Sequence, residues 1–282
     1  MINIHHYRNA VVRFFLIIMA AGSFAACNKP VTLPDITPKG QVNFYFAATA
    51  FLGGIKAGGN DGYLVLIDSR DTTYKPESDI FHSIYPFLHR VDLTPPAYPA
   101  GNSTWIKYME ISTGKHAIYL LDTSRTILDS AQLELAPAAP TMVFFGERHG
   151  IYQHIIANDA FTPADGKIGI RIVNLSPFNG SVYLAMNKVI PAALPVNTTY
   201  LDHTGFIPID CTGPQTLSIK VYQPADSVQF LAHTSLDVVP GHAYTLVLNG
   251  YTDSDDRSYT DPRTGKTVNI TTDFSISALK NF

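Results

Sequence analysis

Hydrophobic and polar residues alternate in short runs along most of the chain. Val42, Phe44 and Phe46 are separated by Gln41, Asn43 and Tyr45. Trp105, Lys107, Met109 and Ile111 alternate with Ile106, Tyr108 and Glu110, and Leu217, Ile219 and Val221 with Ser218, Lys220 and Tyr222. A period of two over such runs is the pattern of a half-buried strand. Further strand-like runs cover 63–67, 117–121, 128–135, 142–145, 168–173, 182–186, 230–239 and 244–248. No stretch of ten or more residues carries a convincing 3.6-residue period. Short strands separated by Gly, Pro, Asn and Asp predict an all-β chain built as antiparallel β-sandwiches.

The pattern also recurs once. Gly114-Lys-His-Ala-Ile-Tyr-Leu-Leu, Leu133-Glu-Leu-Ala-Pro and Thr141-Met-Val-Phe-Phe-Gly146 are matched by Gly213-Pro-Gln-Thr-Leu-Ser-Ile-Lys-Val, Leu236-Asp-Val-Val-Pro-Gly and Tyr244-Thr-Leu-Val-Leu-Asn-Gly250. Gln41-Val-Asn-Phe-Tyr-Phe corresponds to Lys167-Ile-Gly-Ile-Arg-Ile. Gly114 and Gly213 are 99 residues apart, Gly146 and Gly250 104, and Val42 and Ile168 126. The first copy therefore carries an insertion of about 27 residues before Trp105. Two copies of roughly 115–120 residues each fit Ig-like sandwiches. The expected organisation is a first sandwich over 40–160 with an inserted loop at 70–104, and a second over 161–282. The seam falls at Phe161-Thr-Pro-Ala-Asp-Gly166.

Upstream of these copies the composition changes. Arg8 and Arg13 precede an eight-residue apolar core, residues 14–21, too short for a spanning helix. Ser23-Phe-Ala-Ala-Cys27 follows. The segment resembles a bacterial lipoprotein signal with its lipobox, although Phe24 stands where Leu is commoner. The resemblance implies removal of residues 1–26 and acylation of Cys27. Several acyl chains give stable anchoring, whereas one gives marginal binding. Residues 28–39 hold three prolines and no periodicity, so 27–39 reads as an acylated Cys and an extended tether. Asn28 rather than Asp after the Cys implies, by the same resemblance, an outer-membrane anchor; which side of that membrane the body faces stays open.

The second copy resembles domain-of-unknown-function family 4397. The resemblance rests on Ile170-Arg-Ile-Val-Asn-Leu-Ser-Pro177, Val182-Tyr-Leu and Pro240-Gly-His-Ala-Tyr-Thr-Leu-Val247. It covers 168–251 well and 41–146 loosely: Asn174 stands where His is common, and the first copy lacks the Ser-Pro. It implies extracellular or lipoprotein β-sandwich modules in tandem, and brings no catalytic residue. On physical grounds Gly241 suits a turn needing φ > 0. The Tyr244 ring is expected to bury while its hydroxyl bonds to loop backbone.

Charge and cysteine content narrow the function. With 20 Lys+Arg against 23 Asp+Glu, the net charge of −3 supplies no field for nucleic acid. Only Cys27 and Cys211 exist, so an acylated Cys27 leaves Cys211 without a disulfide partner, as a buried inert thiol. His149 and His154 lie in the stretch 146–154 with Glu147 nearby, a set that could form a metal or acid–base site, but they lie an odd number of residues apart and face opposite ways on one strand. They read as solvated, as do His116, His203, His233 and His242. The acidic stretch 253–256 with Asp261 lacks calcium-loop spacing and reads as a solvated loop. Motifs for a nucleophile elbow, zincin, P-loop or dinucleotide site are missing from the sequence, so no cofactor, metal or catalytic residue is expected. Asp129-Ser-Ala and Asp226-Ser-Val match a short O-glycosylation acceptor pattern. The aromatic insertion supplies a candidate contact surface of Phe81, Tyr85, Phe87, Tyr98 and Trp105, weighed against packing onto the sandwich itself. The resulting expectation is a non-enzymatic, lipid-anchored envelope protein that binds glycan or protein. A spacer subunit of an envelope complex is the alternative, and a hydrolase a third reading.

Overall fold

The computed structural model describes residues 38–47, 63–68, 87–89, 97–99, 105–122, 125–252, 258–270 and 272–282. Cys27, Phe81, Tyr85 and the acidic stretch 253–256 lie outside them. Among the described residues there are eighteen strands and no helix, hence none long and apolar enough to cross a membrane.

The first half contributes β1 (Lys39–Phe46), β2 (Tyr63–Ile67), β3 (Phe87–His89), β4 (Ala97–Tyr98), β5 (Met109–Ser112), β6 (Gly114–Asp122), β7 (Ile127–Leu135), β8 (Pro140–Arg148) and β9 (Ile151–Asn158). The second contributes β10 (Lys167–Asn174), β11 (Tyr183–Met186), β12 (Ile207–Asp210), β13 (Gln215–Gln223), β14 (Asp226–Val238), β15 (Ala243–Asn249), β16 (Ser258–Thr260), β17 (Thr267–Asn269) and β18 (Ser275–Lys280). In each half one sheet carries the opening and closing strands: β4-β1-β8-β9, with β5 also on β1, and β12-β10-β15-β18. The other sheet is β3-β2-β6-β7 in the first half and β11-β13-β14 in the second.

The two halves share one feature of topology. β1 pairs in parallel with β8, and β10 with β15, while the other pairs among the described strands are antiparallel. Phe44 faces Val143 and Ile170 faces Tyr244, so the closing strands correspond at 101 residues. The spacing of 104 read from Gly146 and Gly250 needs this correction, because a three-residue slip would turn the core face outward.

Three cores result. Val42, Phe44, Ile118, Leu120, Leu133 and Val143 fill the space between the two sheets of the first half. Ile170, Leu184, Ile219, Leu236, Tyr244 and Leu246 do so in the second. A third core is shared: Tyr45, Met142 and Phe144 meet Val173, Val247 and Leu279. The opening-and-closing sheets thus lie against each other and are covered on both faces, which is why β15 is buried at every position. Residues Pro38–Phe282 form one compact unit.

Local chemistry explains several connections. Tyr244 is buried and its hydroxyl accepts the Val239 N–H at 2.9 Å, while Gly241 takes φ 85°. Asn174 Oδ1 accepts the Ser176 N–H at 3.0 Å, and the Ser176 hydroxyl donates to the Gly250 carbonyl at 2.6 Å. The Asn-x-Ser pattern therefore ties the end of β10 to the turn after β15. The insertion splits between the sheets, with β3 extending the edge at β2 and β4 pairing with β1. The strand expected from Trp105 starts only at Met109, because Trp105 instead bridges to Lys280 of the second half.

Candidate functional site

β1, β8, β10 and β15 start at one end of the body, and a groove of about 590 Å³ opens there at the seam between the halves. Gln41, Ile106, Tyr108, Phe161, Asn281 and Phe282 are among its lining residues. Below it lies a buried ion pair. Arg171 and Asp159 are both fully buried, with Nη1 and Oδ1 2.5 Å apart. Arg171 Nε donates to Thr245 Oγ1 at 3.0 Å, and its guanidinium lies 4.5 Å from the Phe206 ring centroid and 5.4 Å from that of Phe144. The other Asp159 oxygen accepts from the Tyr108 hydroxyl and from Asn281 Nδ2 at 2.7 Å. Burial, then the Asp159 charge, pushes the Tyr108 phenol far up, so it stays a donor. Arg171 Nη1 also donates to the Asn158 carbonyl at 3.3 Å, while Nη2 reaches Met142 Sδ at 3.7 Å, and the arrangement works as a clamp across the halves.

The opposite end carries a second groove, of about 480 Å³, between the β13–β14 turn and the segments that follow β15 and precede β18. Gln223, Asp226, Gln229, Phe230, Tyr251 and Asp273 are among its lining residues. The Asp226 carboxylate accepts the Gln229 and Val228 N–H groups at 3.0 and 2.9 Å, which holds its pKa below the usual range. Phe230 is 42% exposed, although Lys220 Nζ lies 4.5 Å from its centroid. These side chains come from three separate chain segments, and no spacing in the sequence signals that they meet.

A third cluster lies at this same end. The β8–β9 turn, His149-Gly150, has φ 50° and 81°, as in a two-residue type I′ hairpin. It brings the His149 ring onto Tyr251 and Tyr259, with centroids 6.1 and 5.6 Å apart. Glu147 is 1% exposed and accepts the Gly150 N–H. Burial raises its pKa, against the lowering effect of bonds from Gly150 and Tyr259.

Two solvated-histidine expectations need correction as well. His116 is buried, with Nδ1 2.6 Å from Asp68 and Nε2 2.8 Å from the Ser112 carbonyl. His154 is 2.8 Å from Asp129. Both carboxylates lie on neighbouring strands or strand ends, which the spacing of histidines alone does not reveal. His203 and His233 are exposed as expected, and Cys211 is buried in the second core. Among the described residues no group of three His, Cys, Asp or Glu is placed to hold a metal ion.

The sequence-derived contact surface is dispersed where it is described. Phe87 lies on β3, in register with Val65, whereas Tyr98 lies on β4 opposite Phe44 in the other sheet. Trp105 is 37% exposed at the seam, against His242 and Lys280. The Asp159–Arg171 pair escaped sequence reasoning, although an Arg inside the apolar run Ile168-Gly-Ile-Arg-Ile-Val was its one signal. Compared with known proteins, the chain matches no family model and no curated sequence.

Proposed function

We propose that this protein is a non-enzymatic, lipid-anchored component of the bacterial outer membrane. It is read as two tandem Ig-like sandwiches of the family-4397 type, held by acylated Cys27 and serving to bind a glycan or a protein. The observation that carries this reading is the polarity of the body. The chain enters at Lys39 beside one groove, and a second groove of rings, amides and carboxylates opens at the opposite end.

The test has two arms. Full-length chain made in a lipoprotein-processing bacterium should incorporate a labelled fatty acid and enter the detergent phase, and Cys27→Ala should do neither. The 28–282 chain, immobilised, should retain a component of envelope fragments, and Phe230→Ala should release it. Unlabelled wild-type protein overturns the anchor, and retention indifferent to Phe230 overturns the binding role. The spacer reading draws on one observation, the shared core that joins the halves. It predicts a stable complex that Phe230→Ala leaves intact.

A further inference from the structure

We infer that the groove at the β13–β14 end takes a neutral saccharide, a conclusion that rests on the binding role proposed above and names its ligand class. The groove is small, about 480 Å³, whereas a specific protein partner covers on the order of 800 Å² per side. A volume of that order fits a small ligand lying in an open groove rather than a whole protein face.

Its chemistry is selective. Gln223 and Gln229 each offer a planar amide with donors and an acceptor, and Thr252 and Thr272 add hydroxyls. Such side chains match the adjacent donor–acceptor pairs of sugar hydroxyls. Phe230, exposed on one side of the groove, supplies an apolar ring against which the C–H face of a pyranose can pack. Among the described lining residues the charged ones are Asp226 and Asp273, both carboxylates, while the ammonium of Lys220, which is outside this lining, lies 4.5 Å from the Phe230 centroid. Carboxylates accept hydrogen bonds from hydroxyls but repel uronate, sialate and phosphate groups. Asp226 is already fixed in place by the Val228 and Gln229 N–H groups, so it meets a ligand without first losing side-chain freedom.

Affinity electrophoresis of the 28–282 protein provides the test, in native gels containing a neutral mannan, xylan or β-glucan, with alginate and polygalacturonate as charged counterparts. Retardation by at least one neutral polysaccharide is expected, with none from the polyanions. Phe230→Ala and Gln229→Ala should each weaken it at least tenfold, while Trp105→Ala, at the other end, leaves it unchanged. Far-ultraviolet circular dichroism and the urea midpoint of each variant separate loss of ligand from loss of fold. Binding of polyanions alone, or neutral binding insensitive to Phe230 and Gln229, overturns the inference. If no polysaccharide binds while envelope material is still captured in a Phe230-dependent way, the saccharide assignment fails and the binding role stands. If neither occurs, both fail.

Discussion

Replacing Arg171 by Met should loosen the seam between the halves more than any single apolar truncation there. At 2.5 Å the Arg171–Asp159 attraction is worth about 7 kcal/mol at an effective dielectric of about 20. Desolvation of two fully buried ions offsets most of it, at several kcal/mol per ion. The pair is therefore a small net contributor, but its two members are unequal to being left alone. Arg171→Met strands the Asp159 carboxylate with only Tyr108 and Asn281 as donors, and Asp159→Leu strands a guanidinium between Phe144 and Phe206. Each single change should cost about 3–5 kcal/mol. For a body of this size that lowers the melting temperature by about 6–20 °C. The double variant should cost far less than the two singles together, because no unpaired ion remains. Urea unfolding followed by Trp105 emission reads the effect at the seam, since this is the one tryptophan of the chain. Single costs below about 1 kcal/mol, or additivity within about 0.5 kcal/mol, would refute the clamp.

Other expectations follow from the remaining buried polar groups and turns. Burial raises the Glu147 pKa, so its protonated form favours the folded state; that stability is complete below the unfolded pKa and is lost as pH rises through the folded value. Glu147→Gln should therefore be more stable than the native protein at pH 8, by a margin that vanishes near pH 4, as urea midpoints would show; a less stable variant at pH 8 contradicts it. Tyr244→Phe leaves the Val239 N–H without its acceptor and should cost about 1 kcal/mol in the same assay. Gly150→Ala places a Cβ 2.7 Å from Pro262 Cδ at φ +81°, and should lower stability by about 1–3 kcal/mol. Wild-type stability in this variant would mean that the β8–β9 turn is relaxed differently.

The strands were legible because each carries an apolar face at period two. Val42, Phe44 and Phe46 do point into the first core. What alternation assigned to solvent was misread at Asn43 and Tyr45, which are also buried. Nothing local to β1 reveals that a second sheet will cover its other face. β15 was more telling, since Ala-Tyr-Thr-Leu-Val-Leu-Asn has no consistently polar side and is buried throughout. The glycines at 146 and 250 did not give the strand register, because Phe44 pairs with Val143 and Ile170 with Tyr244, a spacing of 101 rather than 104. The grooves were illegible, since they gather residues from chain segments far apart, and the aromatic insertion that drew attention in the sequence falls largely outside the described residues.

The doubly covered sheets have an evolutionary corollary. A module can be shuffled between genes only while its exterior stays wettable when it stands alone. Here the plate formed by Val173, Val247 and Leu279 and the counter-ion of Arg171 lie in different halves of one compact unit. Residues 161–282 transplanted alone would display a greasy surface pierced by a lone cation. The heritable unit is consequently the couple, and insertions or fusions are tolerable at its outer turns but not at the junction.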